Sequence, residues 1–398
     1  MKRLLISTFI ILVLIVIGTG VGIFYAKGYR FDPNNPKAIL QGTGLLVLTS
    51  RPDGARVLIN GHLTTATNNT INLQPGKYEV RIEKDGYFPW HKSIDVKQEA
   101  VSQANATLFP TAPRLESITS TGALNPTLDG TGSLIAYTVS SSSAEKNGLY
   151  TLNMAAPAIL PLGGGSTQIT NGNIFTQNSQ TALQFSPDGT QILASVSAAL
   201  NRSSNYLLSA RSFNSTPRDV TATLPQLLVE WEAQKELKNQ KFIDSLPKKV
   251  RTVAKSYFEN PVLSPEEDKI LYTASSSATI PVLIKPRLPG TNSTPETRKI
   301  EQGNIYVYDM KEDRNYLLAR KEDAPTKFLW HPDAAHLIYV NGFKINVVEY
   351  DGQNLTTVYA GPFLENFVFP WPNGSSIVIL TNLNIPDAPY NLYRISLR

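Results

Sequence analysis

The 398-residue chain contains no cysteine. Disulfide staples, cysteine-based zinc sites, lipid attachment to cysteine and thiol catalysis are therefore excluded. A chain of this length is too long for one ordinary domain and can bury sufficient core without disulfides. Charge is scarce as well, at 17% of residues against about 25% in an average soluble protein. The net charge of +5 is thinly spread, with no block of five like charges, so no nucleic-acid-binding tail is indicated. Only four histidines occur, His62, His91, His331 and His336. None falls in HExxH or another compact ligand spacing. His331 and His336 flank one turn and read as loop residues. The nucleophile elbow GxSxG is missing. GGGST at 163–167 lacks the lysine and helix of a phosphate loop, and SLPK (245–248) and SAEK (143–146) lack a downstream KTG. No catalytic residue, cofactor or metal ligand is assigned, and the reading is not that of an enzyme.

One long hydrophobic run is present. Leu4 to Tyr25 has no charged side chain over 22 residues, which at about 1.5 Å per residue covers a hydrocarbon core of about 30 Å. Lys2 and Arg3 precede it. A cleaved signal peptide competes with a retained anchor, but its apolar region would be shorter, about 7–15 residues. Ile23, Phe24 and Tyr25 are poor cleavage residues, although Gly18-Thr19-Gly20 imitates a site. Residues 1–27 are expected to be a single-pass transmembrane anchor with a cytoplasmic N-terminus and everything beyond it extracytoplasmic. Residues 28–43, with two prolines and paired asparagines, read as a linker.

The periodicity then switches to two. In ARVLING, Ala55, Val57 and Ile59 face one way and Arg56, Leu58 and Asn60 the other. Pro52-Asp53-Gly54 turns the chain into that strand, and Asn60-Gly61 turns it out. After Pro75-Gly76, Tyr78, Val80 and Ile82 share a face, and a last strand lies near Lys92 to Val96. Short strands closed by Gly or Pro describe a small β-sandwich over residues 44–110. LLVLTSRPDGARVLINGH, INLQPGKYEVRIEKDGY and FPWHKSIDV together resemble a PEGA domain, with Pro52-Asp53-Gly54-Ala55 where the family has Pro-Glu-Gly-Ala. TTATNNT (64–70) replaces the family's usual Thr-Pro, leaving that loop undefined. The resemblance implies an extracytoplasmic binding or spacer module without catalytic residues.

A second Pro-Asp-Gly belongs to a repeat. NPTLDGTGSLIAYTV (125–139), QFSPDGTQILASVS (184–197), NPVLSPEEDKILYTAS (260–275), WHPDAAHLIYVNG (330–342) and FPWPNGSSIVILTN (369–382) each read strand, polar turn, apolar strand. A further strand follows in most copies. Four-stranded units repeated in this way are blades of a β-propeller, and the segments resemble the SPDG-type blades of TolB-like and WD40-like propellers. The last copy ends without room for an outer strand. Leu115 to Thr119 stands before the first copy with no partner of its own, so it is expected to close the ring as the fifth blade's outer strand.

The fold class expected is thus all-β: a transmembrane helix, a PEGA-type sandwich, then a propeller of about five blades over residues 111–398. One helical insertion interrupts it at 224–259. Val250, Val253, Ala254, Tyr257 and Phe258 give that segment a helical stripe, and Pro247 opens its second helix. The stripe is expected to pack on the propeller, in preference to a partner or, given seven Lys/Arg against five Asp/Glu over 224–260, a membrane surface. Trp330, Trp371 and Trp231 are the candidate binding-surface residues, with inter-blade packing as their plainer reading and a sugar-stacking platform as the sharper one. The expected role is a membrane-anchored, non-catalytic binding or scaffold protein, its partner a cell-envelope protein or glycan. An envelope enzyme or ligand sensor with a site in the propeller mouth is the alternative.

Overall fold

An uncharged run of 19 residues, Ile6–Phe24, with mean hydropathy 2.6, lies within one helix, α1 (Lys2–Ala26). None of that run is buried. The helix is long and apolar enough to cross a membrane. The computed structural model describes residues 2–26, 42–141, 143, 145–155, 165–171, 180–198 and 202–398. The expected linker at 28–43 therefore lies, except for its last two residues, outside the described segments, as do Gly163 and Gly164 of GGGST.

The described chain forms two compact units. The first consists of residues 1–109 together with 284–296. Its β-sandwich pairs a sheet of Asn69–Leu73, Gly44–Arg51 and Val101–Thr107 with a sheet of His62–Ala66, Arg56–Ile59, Gly76–Glu83 and Trp90–Val96. Alternation fills the space between the sheets with Leu46, Leu48, Val57, Val80, Ile82 and Ile94. Trp90, at the end of the GYFPW segment, is buried among them. The TTATNNT segment resolves into the end of one strand, a turn at Asn68 with φ 65°, and the start of the next.

The strand Val101–Thr107 was not expected. It runs parallel to Gly44–Arg51 and buries Ser102, Ala104 and Ala106 on alternate positions. Its inward residues are small, so alternation there carries little hydrophobic signal. Residues 284–296 complete this unit: the Asp95 amide donates to Ser293 Oγ at 2.9 Å, and Gly290 passes the Val101 carbonyl so closely that a Cβ would stand 2.2 Å from it.

The turn Asn60-Gly61 has φ of 49° and 82°, the type I′ hairpin geometry that Asn-Gly favours. No atom lies within 4 Å of a Cβ built on Gly61, so the cost of a side chain there is conformational. Gly61→Val is expected to destabilise the sandwich by about 1–3 kcal/mol, read as a lowered melting temperature of fragment 44–108. An unchanged melt would place the hairpin in another register.

In the second unit, five four-stranded antiparallel sheets follow one another among the described residues. Their innermost strands are Leu124–Leu128, Gln180–Phe185, Phe258–Leu263, Phe328–Trp330 and Val368–Pro370, in blades one to five. Apolar layers join neighbouring blades. Leu134, Ala136 and Leu149 of blade one meet Phe185, Ile192 and Ala194 of blade two. Leu271 and Val307 of blade three meet Leu337 and Val348 of blade four. Ile135, Tyr137 and Leu152 of blade one meet Phe369, Val378 and Leu392 of blade five. That last layer joins the two ends of the repeat array. Blade five takes its outer strand, Leu115–Ser117, from before blade one, pairing Leu115 with Ile395 and Ser117 with Tyr393.

The insertion forms α2 (Leu224–Ser245) and α3 (Lys248–Tyr257). Trp231, Leu224 and Leu227 of α2 pack on Leu193, Leu207 and Val220 of blade two. Val250, Val253 and Ala254 of α3 pack on Ile270, Tyr272 and Tyr306 of blade three. The stripe thus packs on its own domain. It is one residue shorter than its spacing implies. Phe258 opens the inner strand of blade three, paired with Ala274, yet its ring stays in the same apolar layer, stacked 3.7 Å from Tyr272. Ladder pairing there outweighs continuation of the helix.

Blade three carries a second excursion. Between two strands of blade three, a short pair, Ala278–Thr279 and Lys299–Ile300, forms the base of a long loop. The base is fixed by Asp313, which is buried and accepts from Tyr308 Oη at 2.7 Å, from the Leu283 amide at 2.7 Å and from Arg298 Nη1 at 3.1 Å.

Candidate functional sites in the propeller

The five repeat segments fold into five superposable turns. In each, the residue before the turn donates its amide to the carbonyl five positions on: Asp129 to Leu134, Ser186 to Gln191, Ser264 to Lys269, His331 to His336, and Trp371 to Ser376. In each, the fourth residue has positive φ: Gly132, Gly189, Glu267, Ala334 and Gly374. A side chain near the turn start accepts the loose amides. Asp129 does so in blade one, accepting from Ser133 and Leu134 at 2.8 Å. Asp188 accepts from the Thr190 amide at 3.0 Å, Asp333 from Ala335 at 2.9 Å, and Asn373 from Ser375 at 2.8 Å. This is the ordinary work of Asp and Asn in turns.

Blade four differs. There, positions one and six of the turn are both histidine. His331 lies just before the turn outside any strand, as read, whereas His336 opens the strand His336–Asn341; both are buried, at 2% and 3% exposure. Their rings stand nearly perpendicular, with centroids 6.1 Å apart, on either side of the Asp333 carboxylate. His331 Nδ1 lies 3.0 Å from Asp333 Oδ1, and His336 Nδ1 lies 2.8 Å from Oδ2. Burial by itself would raise the Asp333 carboxyl. The two imidazoles beside it overcome that and hold it well below the usual carboxylate range. The cluster is legible in HPDAAH only once the turn is known to bring its first and sixth residues together.

His331 also crosses to blade five, where its Nε2 lies 3.1 Å from the Gly374 carbonyl. A Cβ on Gly374 would stand 2.8 Å from His331 Cε1, at a backbone φ of +67°. Gly374→Ala is therefore expected to cost about 1–3 kcal/mol, measured by thermal unfolding. An unshifted melting temperature would mean that the two turns do not touch.

The three tryptophans are not brought together. Trp330 is half-buried between blades, its Nε1 donating to the Val262 carbonyl of blade three at 3.3 Å. Trp371 packs in the layer between blades five and one, with the Arg394 guanidinium 5.7 Å from its ring centre. Trp231, on α2, is buried against blade two.

The inner strands of blades one, four and five instead line a pocket of about 440 Å³, in which none of the three tryptophans takes part. Its walls are Leu128, Leu329, Ile338, Val340, Phe367 and Val368, with Thr127, Thr326, Tyr339 and Asn366 as hydrogen-bonding groups. Lys327 and Glu365 are its charged residues, both exposed. Glu365 is the carboxylate in this lining.

Residues 43–112 match the PEGA domain family. The chain is similar to the solved structure of a putative TolB from Agrobacterium tumefaciens, at 17% identity over 70% of this chain and 74% of that one, with a TM-score of 0.22. It is also similar to TolB from Acinetobacter baumannii, at 13% identity over 89% of this chain and 63% of that one, with a TM-score of 0.23. The chain thus spans less than two thirds of the Acinetobacter protein. No curated protein matches it.

Proposed function

We propose that the chain is a membrane-anchored, extracytoplasmic, non-catalytic binding protein of the cell envelope. α1 holds it in the membrane with the N-terminus cytoplasmic. The PEGA domain serves as a spacer or wall contact, and the propeller holds a protein or glycan partner. The pocket against the inner strands of blades one, four and five carries this reading. It is walled mainly by apolar side chains, with a few neutral hydrogen-bonding groups and one charge of each sign, the make-up of a recognition site.

A photo-crosslinking residue at the exposed Thr326, in full-length protein in cells, is expected to capture a discrete partner. The same residue at Phe213, 55% exposed on the blade-two side of the propeller, is expected not to. Equal capture at both positions, or none at Thr326, would overturn the pocket as the docking site. Orientation has its own test. Protease added to spheroplasts should digest both folded units and leave α1 in the membrane. Full protection, or a mature N-terminus beyond residue 20, would contradict a retained anchor with outside domains.

A further inference from the structure

We propose that the His331–Asp333–His336 turn is a binding site for one divalent transition-metal ion, zinc or a metal of similar preference. His331 Nδ1, His336 Nδ1 and the Asp333 carboxylate would be its ligands. The three candidate ligand groups lie within 4.8 Å of one another. The ligand pairs are 3.0 and 2.8 Å apart. Ligands sharing one ion at about 2.1 Å are separated by about 3.0 Å at right angles and about 3.4 Å in a tetrahedron, so little adjustment is needed. Two imidazoles and one carboxylate form a ligand set known from catalytic zinc chemistry.

The surroundings fix His331 as a ligand would need to be fixed. Its Nε2 faces the Gly374 carbonyl at 3.1 Å. A carbonyl only accepts, so Nε2 carries a proton toward it, and Nδ1 is the ring nitrogen that faces Asp333. Metal-bound histidines usually have such a backbone acceptor behind them.

The sister turns show that the motif exceeds what the fold requires. Ser186 and Ser264 occupy the first position in blades two and three, Ser376 the sixth in blade five, and Asn373 the third. They close the same turn without imidazoles or, in blade five, without a carboxylate.

Those residues supply the variants. Full-length protein in detergent, stripped with chelator, is titrated with Co²⁺ and then Zn²⁺. Wild type is expected to take up one equivalent, with a visible Co²⁺ spectrum that Zn²⁺ abolishes and a melting temperature raised by the metal. Asp333→Asn keeps the turn acceptor that blade five uses. It is expected to fold and to bind more than about 100-fold more weakly, as are His331→Ser and His336→Ser. X-ray absorption on zinc-loaded wild type, which needs no variant, is expected to show two imidazoles in the first shell. Uptake below a tenth of an equivalent, unchanged binding in folded variants, or fewer than two imidazoles around the metal would overturn the site.

Discussion

A chain beginning at residue 122 is expected to melt far below one beginning at residue 110, or to aggregate. The difference between them is the strand Leu115–Ser117 and the residues that lock it. Beyond the ladder itself, Ile118 and Thr119 both donate to the Leu392 carbonyl, at 2.8 and 3.3 Å, and Ser396 donates to the Arg114 carbonyl at 2.9 Å. Thr119 Oγ1 accepts from the buried Leu392 amide at 2.9 Å and donates to Asn391 Oδ1 at 3.0 Å. Glu116 pairs with Arg394, but that pair is partly exposed and contributes little. At about 1 kcal/mol for each bond, plus the buried groups left unsatisfied, removal costs on the order of 5 kcal/mol. For a domain of this size that is a fall of roughly 10–20 °C. It also exposes an unpaired edge, which invites association. Thr119→Val isolates the latch: it keeps the shape, removes the hydroxyl, and should cost about 1–3 kcal/mol. Equal melting and monomeric behaviour of the two fragments would mean that the ring is closed elsewhere.

Asp313→Ala is expected to be the most damaging single substitution in blade three, at about 3–5 kcal/mol. Asp313 is 1% exposed and its side chain meets Arg298, which is itself 13% exposed. Removing the carboxylate leaves the guanidinium buried without its counter-charge and strips acceptors from Tyr308 and the Leu283 amide. The backbone at Asp313 also has φ 53°, a conformation that Asp and Asn tolerate better than Ala. Asp313→Asn should therefore lose less, because it keeps the φ preference and an acceptor. Chemical denaturation of the three proteins is expected to rank wild type, Asn, Ala in falling stability. Equal losses for Asn and Ala would assign the effect to charge alone. A loss below about 1 kcal/mol for Ala would remove Asp313 as the anchor of the loop base.

Some features followed from local chemistry and were legible in the residues themselves. An uncharged apolar run has few alternatives to a long apolar helix. Asn60-Gly61 and Pro75-Gly76 mark strand ends because few dipeptides accept those dihedrals, and the strands between them alternate. The five polar turns carry the propeller repeat for the same reason, and Leu115–Ser117 pairs with the last strand of blade five. Other features depended on partners distant in sequence. Val101–Thr107 is a strand because Gly44–Arg51 offers it a parallel edge, and its own inward Ser and Ala residues say little. Phe258 leaves the helix because Ala274 is there to pair with it. Residues 284–296 fall in the unit of the sandwich although they interrupt a propeller blade. The clearest case is HPDAAH. As letters it is a turn with two histidines. Only the folded ring buries both imidazoles, sets the Asp333 carboxylate between them, and brings the Gly374 carbonyl from the next blade to orient one of them, because those distances are set by blade packing and not by spacing along the chain.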